Sequence, residues 1–254
     1  MTTSVTQGSA VAAGVLLAAL ALGGIFLAPA AQGSAPRMDP ATITQLQVQA
    51  GTGQDLQAST ALAIQARAGN AMAQRAWGMV LLKTDRQTEG MRWLHTAASQ
   101  GDATAQVTLG KHYLRGQPPL ARDYVQARHW FGLASQQRNP IAAYYLGVQY
   151  ANGYGVPASP TAAFGWFAIA AESHHPAALF MLANTYRYGD GVQADMTKAI
   201  AYLQEAADQE YPQAAQTLAM AYQHGEMGLR ADPAQAAYYM GETAHALKHP
   251  PEEP

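Results

Sequence analysis

The stretch LGVQYANGYGVPASPTAAFGWFAIAA, residues 146–171, contains one full cycle of the pattern that decides the fold. Leu146 and Tyr150 stand four apart, which puts both on one face of a helix. Gly153 can close that helix in the left-handed conformation, and Gly153 to Val156 reads Gly-x-Gly-Val. Ser159 then offers a side-chain cap, and Pro160 fits the first helical position, where a missing N–H costs nothing. Ala163, Trp166 and Ala170-Ala171 follow at helical spacing. One cycle is therefore helix, turn, helix.

The cycle recurs in both directions. Leu109-Gly110, Leu146-Gly147, Leu182-Ala183 and Leu218-Ala219 lie 37, 36 and 36 residues apart. Each Leu is followed by an aromatic and a glycine at fixed offsets: Tyr113/Gly116, Tyr150/Gly153, Tyr186/Gly189 and Tyr222/Gly225. A second aromatic series runs Trp93, Trp130, Trp166, Tyr202 and Tyr239, trailed by small pairs such as Ala97-Ala98 and Ala206-Ala207. First helices are expected to start at Asn70, Asp102, Asn139-Pro140, His175-Pro176 and Tyr211-Pro212. Second helices are expected to be capped by Asp123, Ser159, Asp195 and Asp232. Ala127, Ala163, Ala199 and Ala236, four residues after those caps, let two helix backbones approach closely.

The pattern Leu-Gly-x-x-Tyr-x-x-Gly-x-Gly-Val, then Asp-x-x-x-Ala-x-x-Trp-x-x-x-Ala-Ala, resembles the Sel1-like repeat, a relative of the tetratricopeptide repeat. The resemblance covers roughly Asn70 to Leu247 in five units, the first of them degenerate around Trp77-Gly78. It implies an all-α, right-handed α-solenoid of about five helix–turn–helix repeats, acting as a protein-interaction scaffold rather than an enzyme. Solenoid units bury their anchors between neighbours, so Leu146, Tyr150, Trp166, Ala170 and their equivalents are expected in the core. Trp166 is expected between units three and four. The domain plan is a targeting segment at 1–31, a linker at 32–56 with room for a short helix, the solenoid at 57–247 with a capping helix at 57–68, and a disordered tail at 248–254.

The amino terminus points to a membrane. No charged side chain precedes Arg37, and Val11 to Leu27 is an unbroken apolar run of 17 residues. As a helix it would rise about 26 Å, near the thickness of a bilayer's hydrocarbon core. Ala28-Pro29-Ala30 supplies the small residues of a signal-peptidase site, while the run's length and the lack of Lys or Arg suit a retained anchor. The expectation is a chain exported to, or anchored in, the bacterial envelope, in the periplasm or inner membrane.

Composition narrows the function. The chain has no cysteine, which removes thiolate metal sites and thiol catalysis. A formal net charge of −2 gives no electrostatic case for nucleic acid. The eight histidines form no HxxEH motif, and no Gly-x-Ser-x-Gly elbow is present, so no catalytic residue, metal ligand or cofactor site is assigned. Some Sel1-like proteins that act on β-lactams carry a cysteine pair in each repeat; that activity does not transfer here. The resemblance implies that exposed first-helix positions line an inner face where a peptide or partner helix binds. In units three to five those positions are Tyr144, Val148, Asn152, Phe180, Asn184, Tyr188, Met220 and His224. The alternative to an adaptor is an accessory or assembly subunit of a membrane complex, held by the amino-terminal segment.

Overall fold

The computed structural model describes residues 37–52 and 55–248, and their regular structure is entirely helical. Pro40–Gly51 (α1) and Leu56–Arg67 (α2) open the array. Unit one pairs Ala71–Leu82 (α3) with Gln87–Ser99 (α4), and unit two pairs Ala103–Arg115 (α5) with Tyr124–Gln136 (α6). Unit three pairs Pro140–Asn152 (α7) with Pro160–Ala171 (α8), and unit four pairs Pro176–Tyr188 (α9) with Met196–Asp208 (α10). Unit five pairs Pro212–His224 (α11) with Pro233–Lys248 (α12). Each helix packs on its neighbours in sequence, which makes the chain an all-helical solenoid.

Local chemistry sets the boundaries. Side chains of Asp102, Asp123, Asn139, Ser159 and Asp195 each accept a backbone N–H in the first turn of the following helix. Such a bond satisfies a donor that the helix itself leaves unpaired. Gly116, Gly153, Gly189 and Gly225 end their helices in the left-handed conformation, each N–H bonded to the carbonyl four residues back. The second glycine of Gly189-x-Gly191 does a different job. At φ +78° it lies so close to Pro160 that a Cβ would strike that residue's carbonyl, so the unit-four turn rests on the start of α8.

In units one to four the residue one position beyond the second aromatic series lies deep in the core, whereas Met240 in unit five is exposed. Leu94, Phe131, Phe167 and Leu203 are fully buried. The ring series itself is mixed, with Trp130 and Tyr239 buried but Trp93, Trp166 and Tyr202 only half-buried. This corrects the burial expected of Trp166, which also reaches back to unit two. Its ring packs against the unit-two and unit-three cluster around Phe131 and Leu146, and against Ala143, Ala170 and Ala178. Phe167, the next residue, turns about 100° around the helix and packs with Leu182 of unit four. Tyr150 is likewise half-buried, whereas Leu146 and Ala170 are core as expected.

Glycine makes room for the rings. A Cβ on Gly147 would lie 2.5 Å from Phe167 Cε1, and one on Gly110 would collide with Phe131. The Leu-Gly motif thus stops being a helix defect and becomes a socket for the ring on the paired helix.

The expected linker is also corrected. Within 32–56, α1 is a full helix capped by Asp39, with Ile43 and Ala50 buried against Leu62, Ala66 and Trp77. Thr44, Gln45 and Gln49 are exposed on its outer side together with Val48. Among the described residues no helix is long and apolar enough to cross a membrane. The apolar run at 11–27 and the tail at 249–254 lie outside the described residues.

Candidate interaction surface

The eight expected contact positions divide into two groups. Asn152, Tyr188, Met220 and His224 are exposed, Tyr188 at 63% and Met220 at 51%. Tyr144, Val148, Phe180 and Asn184 are half-buried. Three of that second group are engaged in packing. Tyr144 stacks on His175 of unit four, ring centres 5.0 Å apart. Phe180 leans on Tyr211 of unit five at 5.4 Å, and Val148 packs against the Phe167 cluster. A helix position that looks outward in one unit meets the cap residue of the next, which is why Tyr144 and Phe180 act as seam residues. Val107, their unit-two equivalent, is fully buried.

The exposed set stays open along α7, α9 and α11. Asn152 donates from Nδ2 to its own helix at Val148 O, 2.8 Å away. The Arg187 guanidinium lies over the Tyr188 ring at 5.2 Å, which pairs a cation with an aromatic face at the end of α9. Met220 and His224 continue the same register one unit on.

Tyr145 belongs to the same surface and was missed, because it neighbours Leu146 and reads as part of the repeat anchor. Its ring stacks 4.9 Å from Phe131 and is half-exposed. Lys111 Nζ lies 5.7 Å above it, and Arg115 Nη2 donates to its hydroxyl at 3.3 Å. His175 is close to this group. Burial pushes its imidazole below the ordinary value, and the Lys111 charge pushes the same way. Its Nδ1 accepts the Ala178 N–H at 3.3 Å as the cap of α9, a role that needs the neutral ring. Among the described residues no group of three or more His, Asp or Glu side chains is placed to hold a metal ion.

Comparison with known proteins agrees with this geometry. No curated protein sequence matches the chain. A Sel1 repeat protein from Oxalobacter formigenes superposes with a TM-score of 0.74 at 24% identity, covering 82% of this chain and 88% of that one. A protective antigen of uropathogenic Escherichia coli with an SLR fold gives 0.69 at 26% identity, over 81% of this chain and 45% of that longer one. An immunity protein from Pseudomonas aeruginosa gives 0.58 at 17% identity, over 85% of both chains. The Sel1 repeat model matches residues 71–102, 103–139, 140–175, 176–211 and 212–245, so the chain belongs to the Sel1 repeat family, whose members are in general protein-interaction scaffolds.

Proposed function

We propose that this protein is a non-enzymatic adaptor of the bacterial envelope that holds a peptide or helix of a partner protein along its first helices. The observation that carries the reading is the open register of Asn152, Tyr188, Met220 and His224 on successive first helices. Aromatic and Met side chains left in water beside amides suit partner capture, where a few anchors supply most of the affinity. Envelope location rests on the apolar run at 11–27.

The absence of cysteine makes a direct test clean. A single Tyr188→Cys or Met220→Cys substitution carries a thiol-reactive crosslinker on the first-helix face. Val125→Cys on α6 and Ile169→Cys on α8, both exposed, carry it on second helices. In native membranes and periplasmic extract, one discrete partner band is expected from positions 188 and 220 and none from 125 and 169. Equal crosslinking from all four positions would place binding elsewhere. Intact mass of the same samples shows whether the apolar segment is cleaved or retained.

A further inference from the structure

The first helices contain no carboxylate. Across α1, α3, α5, α7, α9 and α11 the charged side chains are Arg75, Lys111, Arg115 and Arg187, with no Asp or Glu. The acidic side chains of the described residues all fall at caps, in turns or on second helices, Glu89, Glu205, Asp208 and Glu242 among them. The carboxylates are thus kept off the first helices, whereas cations stand on both sets, with Arg92, Arg128, Lys198 and Lys248 on second helices beside the acids.

Arg75 is ion-paired to Asp102 Oδ2 at 3.2 Å. Lys111 and Arg187 lie over tyrosine rings, and Arg115 donates to a tyrosine hydroxyl. Lys111 and Arg115 stand four apart on α5, where like charges destabilise a helix. Both converge on Tyr145, which is fixed by its stack on Phe131. Two units on, Arg187 sits on Tyr188 at the end of α9. Rings held this way keep the cations from wandering, so less side-chain freedom is lost when an anion arrives.

Resting on the reading of the first helices as the binding face, we propose that the partner segment is an acidic peptide, its carboxylates met by Lys111 and Arg115 at one end and Arg187 at the other. A cationic face without internal carboxylates steers anionic partners to it and rejects cationic ones. Carboxylate recognition by arginine adds short charge-assisted hydrogen bonds.

The test uses the full chain and a fluorescein-labelled peptide of alternating Glu and Ala, read by anisotropy at low and high salt. A Lys-Ala peptide and an oligothymidylate of similar length are the comparison probes. The Glu-Ala peptide is expected to bind at least about tenfold more tightly than the Lys-Ala peptide, and less tightly as salt is raised. The pair Lys111→Glu/Arg115→Glu should weaken it by about tenfold or more. Arg67→Glu/Arg92→Glu makes the same charge change on exposed positions of α2 and α4 and should leave binding within about twofold. If the reversal pair unfolds the chain, Lys111→Gln/Arg115→Gln serves in its place. Equal loss from both pairs would reduce the effect to net charge and overturn the proposal. So would an oligothymidylate that binds more tightly and depends on the same two residues. Should the acidic peptide fail while crosslinking from position 188 persists, the charge inference falls and the binding face stands; failure of both removes the face itself.

Discussion

Units three and four solve one packing problem with exchanged volumes. In unit three, Gly147 on α7 leaves a socket that the Phe167 ring of α8 fills. In unit four the same positions are Ala183 and Leu203, both buried in one cluster with Leu218. The methyl that glycine gives up on the first helix is returned as ring area on the second. The seams beyond differ in kind as well. Tyr144 meets a histidine, His175, where unit four sets Phe180 against a tyrosine, Tyr211. The repeat therefore specifies distances between helices, and side chains trade volume and polarity within those distances.

The largest effects should come from emptying the sockets. Phe167→Ala is expected to cost about 3–5 kcal/mol and Leu203→Ala about 2–5 kcal/mol, the range for deleting fully buried side chains. Loss in either unit should spread to its neighbours, since solenoid stability is shared across interfaces. Trp166→Ala should cost less than Phe167→Ala although the indole is larger, because part of that ring stays in water. Chemical denaturation of the three variants ranks them. If Trp166→Ala proved the most damaging, the half-buried ring would be the true anchor and the comparison would be inverted.

A finer break targets the exchange itself. Gly147→Ala forces a Cβ to within 2.5 Å of Phe167 Cε1, and overpacking of this kind costs about 1–3 kcal/mol. The gain in helix propensity, up to about 1 kcal/mol, offsets part of that cost. Adding Phe167→Leu converts unit three to the unit-four combination. The double variant should then be more stable than the two single losses predict, a coupling that a double-mutant cycle measures. Additive losses would mean that glycine and ring are independent.

Much of this was legible in the chain. The caps at Asp102, Asn139, Ser159 and Asp195 and the stops at Gly116, Gly153, Gly189 and Gly225 are marked by residue types with a single local job. The core register was harder to read. Trp and Tyr recur so visibly that they mask the neighbouring Phe131, Phe167 and Leu203, which carry the deeper burial. α1 was hidden for the opposite reason, since only Ile43 and Ala50 are buried and Thr and Gln dominate its sequence. The turns after α6, α8 and α10 place Arg138, His174 and Glu210 at positive φ, where Gly69 and Gly101 stand in earlier turns. Nothing in those side chains announces the conformation. At the surface, the register implied by the family resemblance matches the exposure of positions 152, 188, 220 and 224, whereas the packing of Tyr144 and Phe180 depends on the cap residue of the next unit.

The smallest predicted effect separates the two seams by pH. Burial holds the His175 pKa below its ordinary value, with Lys111 adding repulsion, and Tyr144 covers the ring. An unfolded chain takes up the proton near pH 6.5, while the folded chain takes it up only at lower pH. Between those two values the unfolded state binds more protons, so stability is full above about pH 6.5, declines as pH falls and levels off below the folded value. Tyr211, at the equivalent position, has its pKa raised by burial and stays neutral throughout that range. His175→Asn keeps a side-chain acceptor at the cap, as Asn139 does one unit earlier, and should flatten part of the acid-side decline. The remainder belongs to His95 and His112, which burial also holds below their ordinary value. Tyr211→His should add to the decline by giving the second seam the chemistry of the first. Thermal melts of the three proteins across pH 5 to 8 provide the check, read as differences from the native chain at each pH. An unchanged pH profile for His175→Asn would show that the imidazole is solvated in the folded protein, and the two seams would then differ in shape alone.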